Sequence, residues 1–258
     1  YKEKWNELEV SLDGIDIDDY YLHIFRCYEG DGNTKKEQLF EASKKLLQSG
    51  KKEGIVKFFD FFTKYGSMYY NIVNAVGEGI EKEVYDYFKL KINRQIRPVL
   101  LMLRVKKDTH VISDELYERC IVYLRNFFIA FNLDNNTSNK IELDVANLSH
   151  RILISESASE VERNVLSFLL KFEVYFKEND VLADGLDNIV YTNRSTRKNV
   201  SSRLIVYLFK PLILDAETNA FANYDFEEFN VEHILNDSNN ENVYYSLGNL
   251  LVCPQKIN

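Results

Sequence analysis

The 258-residue chain has few residues that interrupt a helix, with three prolines and ten glycines. Between them, apolar residues recur at spacings of three and four, the period of a helix rather than that of a half-buried strand. Long hydrophobic runs are also missing. The longest, such as "VLLML" at 99–103, fall far short of the roughly 20 residues needed to cross a bilayer, and the opening "YKEKWNELEV" lacks a secretory pattern. These absences point to a soluble, cytoplasmic protein with no membrane association. Three cysteines, Cys27, Cys120 and Cys253, stand far apart with no C-x-x-C pair, which excludes a disulfide framework and a structural zinc knuckle. They are expected to be buried free thiols. Positive charge is in deficit, with 32 Lys and Arg against 40 Asp and Glu and a net charge of -8, so any contact with nucleic acid has to be local.

The hydrophobic fraction of 45% is enough for a substantial core, and it falls on helix faces. Ile55, Phe58, Phe59 and Phe62 lie at i, i+3, i+4 and i+7 and predict one amphipathic helix. Leu116, Cys120, Leu124, Phe127 and Phe131 predict a second, and Val161, Val165, Phe168, Phe172 and Phe176 a third. Thr34 with Glu37 and Ser157 with Glu160 fit the capping box that opens a helix. Pro98 suits a first turn, where its missing donor is not needed. "EGDGNTKK" and "FNLDNNTSNKIE" read as loops. The 17 tyrosines and 17 phenylalanines could act as base-stacking platforms, but their helical spacing assigns them to the core.

After about residue 222 the pattern changes. "NYDFEEFNVEHIL" reads as a turn into a short strand, and "LGNLLVC" as a Gly-marked entry to a second, together a small hairpin. Glu232 and His233 stand at the end of the first strand, where both could border one cavity. A carboxylate suits Mg2+ and a neutral imidazole suits proton abstraction from water. Asn249 in "LGNLL" and Asn258 nine positions on add two amides, each able to ligate a hard metal or to pin a loop through backbone bonds.

An acidic residue and His, then Asn at the start of an apolar strand, then Asn nine residues later resembles the HNH, or ββα-metal finger, nuclease motif. More narrowly, "VEHIL" followed by "LGNLLV" resembles the C-terminal HNH domain of GmrSD-type, modification-dependent type IV restriction endonucleases. The helical lead-in, with "INRQIRPVLLML" and "RLIVYLF", is loosely similar to the helical region before that domain. The resemblance implies a mainly α protein: a multi-helix body over 1–200 followed by a small HNH finger over 201–258, truncated at its last helix. It implies that His233 is the general base that activates water and that Glu232 helps hold a Mg2+ or Mn2+ ion. Asn249 would orient the loop and the histidine, and Asn258 would complete the metal site. The implied activity is metal-dependent hydrolysis of DNA, in anti-phage restriction of modified foreign DNA, with a homodimer if both strands are cut.

The chain departs from that family at three places. Asn236 stands where Pro is frequent, the helix beyond Asn258 is missing, and so is the N-terminal nucleotide-binding sensor domain. Residues 204–258 hold eight carboxylates against Lys210 and Lys256, a surface that repels DNA. Arg194, Arg197, Lys198 and Arg203 cluster just before it and are the candidate phosphate contacts, with a solvated loop as the alternative. His23, His110 and His150 have no such company and are expected to serve packing or the surface. The competing reading for the whole chain is a helical scaffold or regulatory protein-interaction module whose finger is catalytically incomplete.

Overall fold

The structure is a computed structural model that describes residues 1–49, 52–133, 138–173, 179–192, 200–216, 226–236 and 245–254. Helix predominates, and the strands among the described residues form a single two-stranded antiparallel sheet. No helix among the described residues is long and apolar enough to cross a membrane. The chain forms two compact units, one of residues 1–132 and 136–174, the other of 133–135 and 175–258.

The first unit is built from α1 (Lys2–Ser11), α2 (Ile17–Glu29), α3 (Leu39–Ser49), α4 (Lys52–Lys64), α5 (Gly66–Asn74), α6 (Gly79–Leu90), α7 (Arg97–Asp108), α8 (Asp114–Leu133), α9 (Glu142–Ile154) and α10 (Ala158–Lys171). The most buried helix of this unit is α7: Pro98 through Leu103 and Val105 are buried, its charged residues gather toward its ends, and it packs against α9, α5 and α2. Pro98 sits in its first turn, where no donor is lost.

The predicted stripe is buried in full on α8, and on α10 at every position that is described. On α8, Leu116, Cys120, Leu124, Phe127 and Phe131 are buried, and Tyr117, Ile121 and Phe128 widen the face. On α10, Val161, Val165 and Phe168 are buried, followed by Phe172, while Phe176 lies outside the described residues. The stripe on α4 differs. Phe58 and Phe62 are buried, but Ile55 is 38% exposed and Phe59 half-buried. The helix serves two neighbours: Tyr21, Phe25 and Tyr28 of α2 meet Phe58, while Tyr1 sets its ring edge-on to Phe59 at 4.9 Å.

Start signals divide in the same way. The Ser157 hydroxyl accepts from the Glu160 backbone N–H at 3.4 Å, as a cap should. The Glu160 carboxylate accepts from the Glu156 N–H, one residue earlier than the box requires. At Thr34 the expected box does not form, because the hydroxyl donates to the Asp31 carboxylate at 2.6 Å, a stronger acceptor. A 3-10 turn, Lys36–Gln38, starts one residue later, with the Lys35 N–H donating to the Gln38 side chain.

The second unit holds α11 (Asn179–Asp187), α12 (Ser202–Ala216), a 3-10 turn (Phe226–Glu228), β1 (Phe229–His233), a further 3-10 turn (Leu247–Asn249) and β2 (Leu250–Pro254). The predicted hairpin is present, with Phe229 opposite Pro254, Val231 opposite Val252 and His233 opposite Leu250. Its inner face rests on α12, and Ile205, Val206, Phe229, Val231, Leu250 and Val252 form one apolar cluster. Ile189 joins that cluster, so the segment from 175 to 200 groups with the hairpin.

Candidate functional site

Strand alternation decides where the Glu232-His233 pair points. Along β1, Phe229 and Val231 are buried against α12 while Asn230 and Glu232 face outward. His233 is the next residue on the inner face and is half-buried; Glu232 is exposed, opposite the exposed Leu251. The ladder runs through His233, so no bend turns the two side chains toward one cavity. The shared cavity expected from their adjacency is corrected here: pairing with β2 keeps the period of two to the last residue of the strand.

His233 is held from a distant part of the chain. Its Nε2 lies 2.8 Å from the carbonyl oxygen of Tyr191, and its ring stacks on the Tyr191 ring at 5.7 Å with an interplanar angle of 20°. The segment carrying that carbonyl is itself fixed: the Tyr191 N–H donates to the Tyr245 carbonyl at 3.0 Å, Val190 bridges to Ser246, and the Val200 N–H donates to the Val190 carbonyl. Tyr245 is among the fully buried side chains.

Asn249 fixes the chain that follows the histidine. Its Oδ1 accepts from the Leu235 N–H at 2.7 Å, and its Nδ2 donates to the Leu235 carbonyl at 2.8 Å. Its own carbonyl accepts from the Ile234 N–H at 2.9 Å. The side chain is buried, so both ends of the amide are spent on one backbone residue two positions beyond His233. This is the loop-pinning use of an amide anticipated for Asn249.

The other predicted residues fare differently. Asn258, Arg194, Arg197 and Lys198 lie outside the described residues. Arg203 is exposed in the first turn of α12, which Ser201 caps through the Leu204 N–H. Among the described residues no three His, Cys, Asp or Glu side chains gather as a metal would need. The carboxylate of Glu232 and the imidazole of His233 thus do not by themselves form a divalent-cation site. Burial and the Glu232 charge instead raise the Cys253 thiol above its ordinary range.

The remaining histidines serve the fold. His23 is buried with Nδ1 2.6 Å from the Tyr69 hydroxyl, and His150 Nδ1 meets the Cys27 carbonyl at 2.8 Å. His110 takes a left-handed conformation in the turn after α7. The residue that sequence reasoning missed is Tyr191. It contributes a carbonyl and a ring face from 42 positions upstream, and neither leaves a motif.

The chain matches no family model, no curated protein and no solved structure in comparison with them.

Proposed function

We propose that the chain is an HNH-type endonuclease that hydrolyses DNA phosphodiester bonds, with modified foreign DNA as its substrate. The observation that carries this reading is the way His233 is held at the end of a two-stranded hairpin, fixed by a backbone carbonyl on one side and followed by an Asn249-clamped loop on the other. A carbonyl can accept but not donate, so Nε2 carries the ring proton toward Tyr191 and Nδ1 keeps its lone pair. In the proposed step Nδ1 takes a proton from water as the water oxygen bonds to phosphorus. The phosphorus–oxygen bond to the leaving 3' oxygen then breaks, and that oxygen takes up a proton from solvent. The stacked Tyr191 ring and the Asn249 clamp restrict the imidazole and its loop, which lowers the ordering cost of reaching that geometry. Mg2+ or Mn2+ belongs to the reading as the expected cofactor. The described residues do not assemble a ligand set for it, and no step above runs through it.

The test is nicking of supercoiled plasmid, modified and unmodified, in Mg2+ or Mn2+, by the native chain and by His233→Ala and Asn249→Ala. Expected is cleavage lost at least about a hundredfold with His233→Ala, the usual scale of general-base removal, while the far-UV spectrum stays native and melting falls only by what one hydrogen bond and one ring contact contribute. Asn249→Ala should lower cleavage and melting together. The second reading, a helical scaffold with an inactive finger, is favoured by the divergence of Glu232 and His233 across the sheet. Absence of cleavage on every substrate, with both ions, would leave that reading in place.

A further inference from the structure

On α9, Asp144, Asn147, Leu148 and Arg151 fall at i, i+3, i+4 and i+7, and on α10 Asn164, Ser167, Phe168 and Lys171 repeat the spacing. The two stripes line one cleft of about 110 Å³ in the first unit. Helix faces that look across at one another are ordinarily apolar. Here the apolar position in each stripe is the i+4 residue, and Leu148 and Phe168 are both buried. The other six positions are polar.

The ends of the cleft are tied off. Lys171 is bonded to the Asp144 carboxylate at one end, and at the other the Asn164 amide donates to the Ser155 hydroxyl at 3.0 Å and to the Arg151 carbonyl at 3.5 Å. Three donors remain: the Arg151 guanidinium, the Asn147 amide and the Ser167 hydroxyl have no side-chain partner among the described residues. Lys171 and Asp144 neutralise each other, so the cleft keeps the single positive charge of Arg151.

We propose that this cleft binds a small tetrahedral oxyanion, free phosphate or the terminal phosphate of a small monoester. A planar guanidinium offers two parallel N–H donors to such a group, the Asn147 amide one turn back on α9 supplies a third, and the Ser167 hydroxyl of α10 a fourth from across the cleft. The volume suits it, since a water occupies roughly 30 Å³ of liquid and the cleft holds a group a few times that size. Nothing in this assignment depends on the nuclease reading, because the lining residues belong to α9 and α10 alone.

The test is calorimetric titration of the native chain with inorganic phosphate and, separately, with ribose 5-phosphate, at constant ionic strength and with chloride as the control. Saturable one-site binding is expected. Arg151→Gln should weaken it at least about tenfold, Arg151→Lys less because it keeps the charge but not the fork, and Asn147→Ala and Ser167→Ala severalfold each. Preference for one probe then tells free phosphate from a monoester. Arg151 is exposed, so the variants should melt as the native chain does. The proposal is overturned by equal binding to native and Arg151→Gln proteins, or by no saturation detected as heat or as a melting shift. It is also overturned if a short DNA duplex binds through Arg151 while neither small probe does.

Discussion

Two buried side chains show how much of a residue's role is readable from its chemistry. Asn249 was legible: an amide beside a strand can pin a loop, and it does so with both of its ends. The environment of His23 was legible only in part: Arg26 stands one turn on along α2, but Arg94 and Arg97 reach it only through the fold. Burial, helped by the charges of Arg97, Arg26 and Arg94, pulls its imidazole down to about 3. A folded-state value below the ordinary one of about 6.5 means that, as pH falls, the unfolded chain takes up a proton that the native chain refuses. This contribution is absent above about pH 6.5 and turns destabilising as pH falls toward 3, by roughly 1.4 kcal/mol per unit. Urea unfolding at pH 7 and pH 5 should therefore show a loss in the native chain that is smaller by about 2 kcal/mol in His23→Gln. Equal losses in the two proteins would refute it.

At the scale of elements, the stripe on α8 was legible, and that on α10 over its described residues, although α8 meets both α6, through Phe128 and Phe88, and α10, through Phe127 and Phe168. On α4 the stripe was misjudged because two helices compete for its surface, and periodicity carries no information about how many partners a face has. Alternation along β1 was likewise available from the sequence, but a strand-end bend was expected to suspend it, and the pairing of His233 with Leu250 does not allow that. Proline rules would have stopped a helix before Pro211, yet α12 continues through it to Ala216, because a buried face carried by Ile205 and Val206 holds the helix to the hairpin. Close helix approach leaves a different signature. At Gly66, the first residue of α5, an added Cβ would lie 2.0 Å from the Ser11 hydroxyl and 2.8 Å from a Leu8 methyl, both on α1. Gly66→Ala forces these helices apart and should cost about 2 kcal/mol, seen as a lower melting temperature, even though alanine is the better helix former. An unchanged or higher melting point would show that Ser11 and Leu8 move aside at no cost.

At the scale of the molecule, the cysteines report on the two units separately. Cys27 and Cys120 are buried in the first unit, their thiols pushed up by burial to about 12 and about 11. Cys253 is half-buried in the second. A thiol reagent at pH 8 should therefore label Cys253 in the native chain and reach the other two only when the first unit opens, since the thiolate is the reactive form. Mass mapping of labelled peptides along a urea gradient checks this, and native labelling of Cys27 or Cys120 would contradict it. The expected buried state holds for Cys27 and Cys120 but not for the half-buried Cys253, and the assignment of the cysteines to separate units was not readable from the sequence. Nor was the grouping of 175–200 with the hairpin, which rests on Ile189 meeting Ile205 and Phe229 across long stretches of sequence.

The tether between His233 and Tyr191 also sets what could be transplanted. A peptide spanning 226–254 would carry every letter of the hairpin motif and still lack the oxygen atom that fixes the imidazole. The smallest portable form of the site begins before Ile189, because the atom that chooses which nitrogen bears the proton belongs to a residue outside the motif.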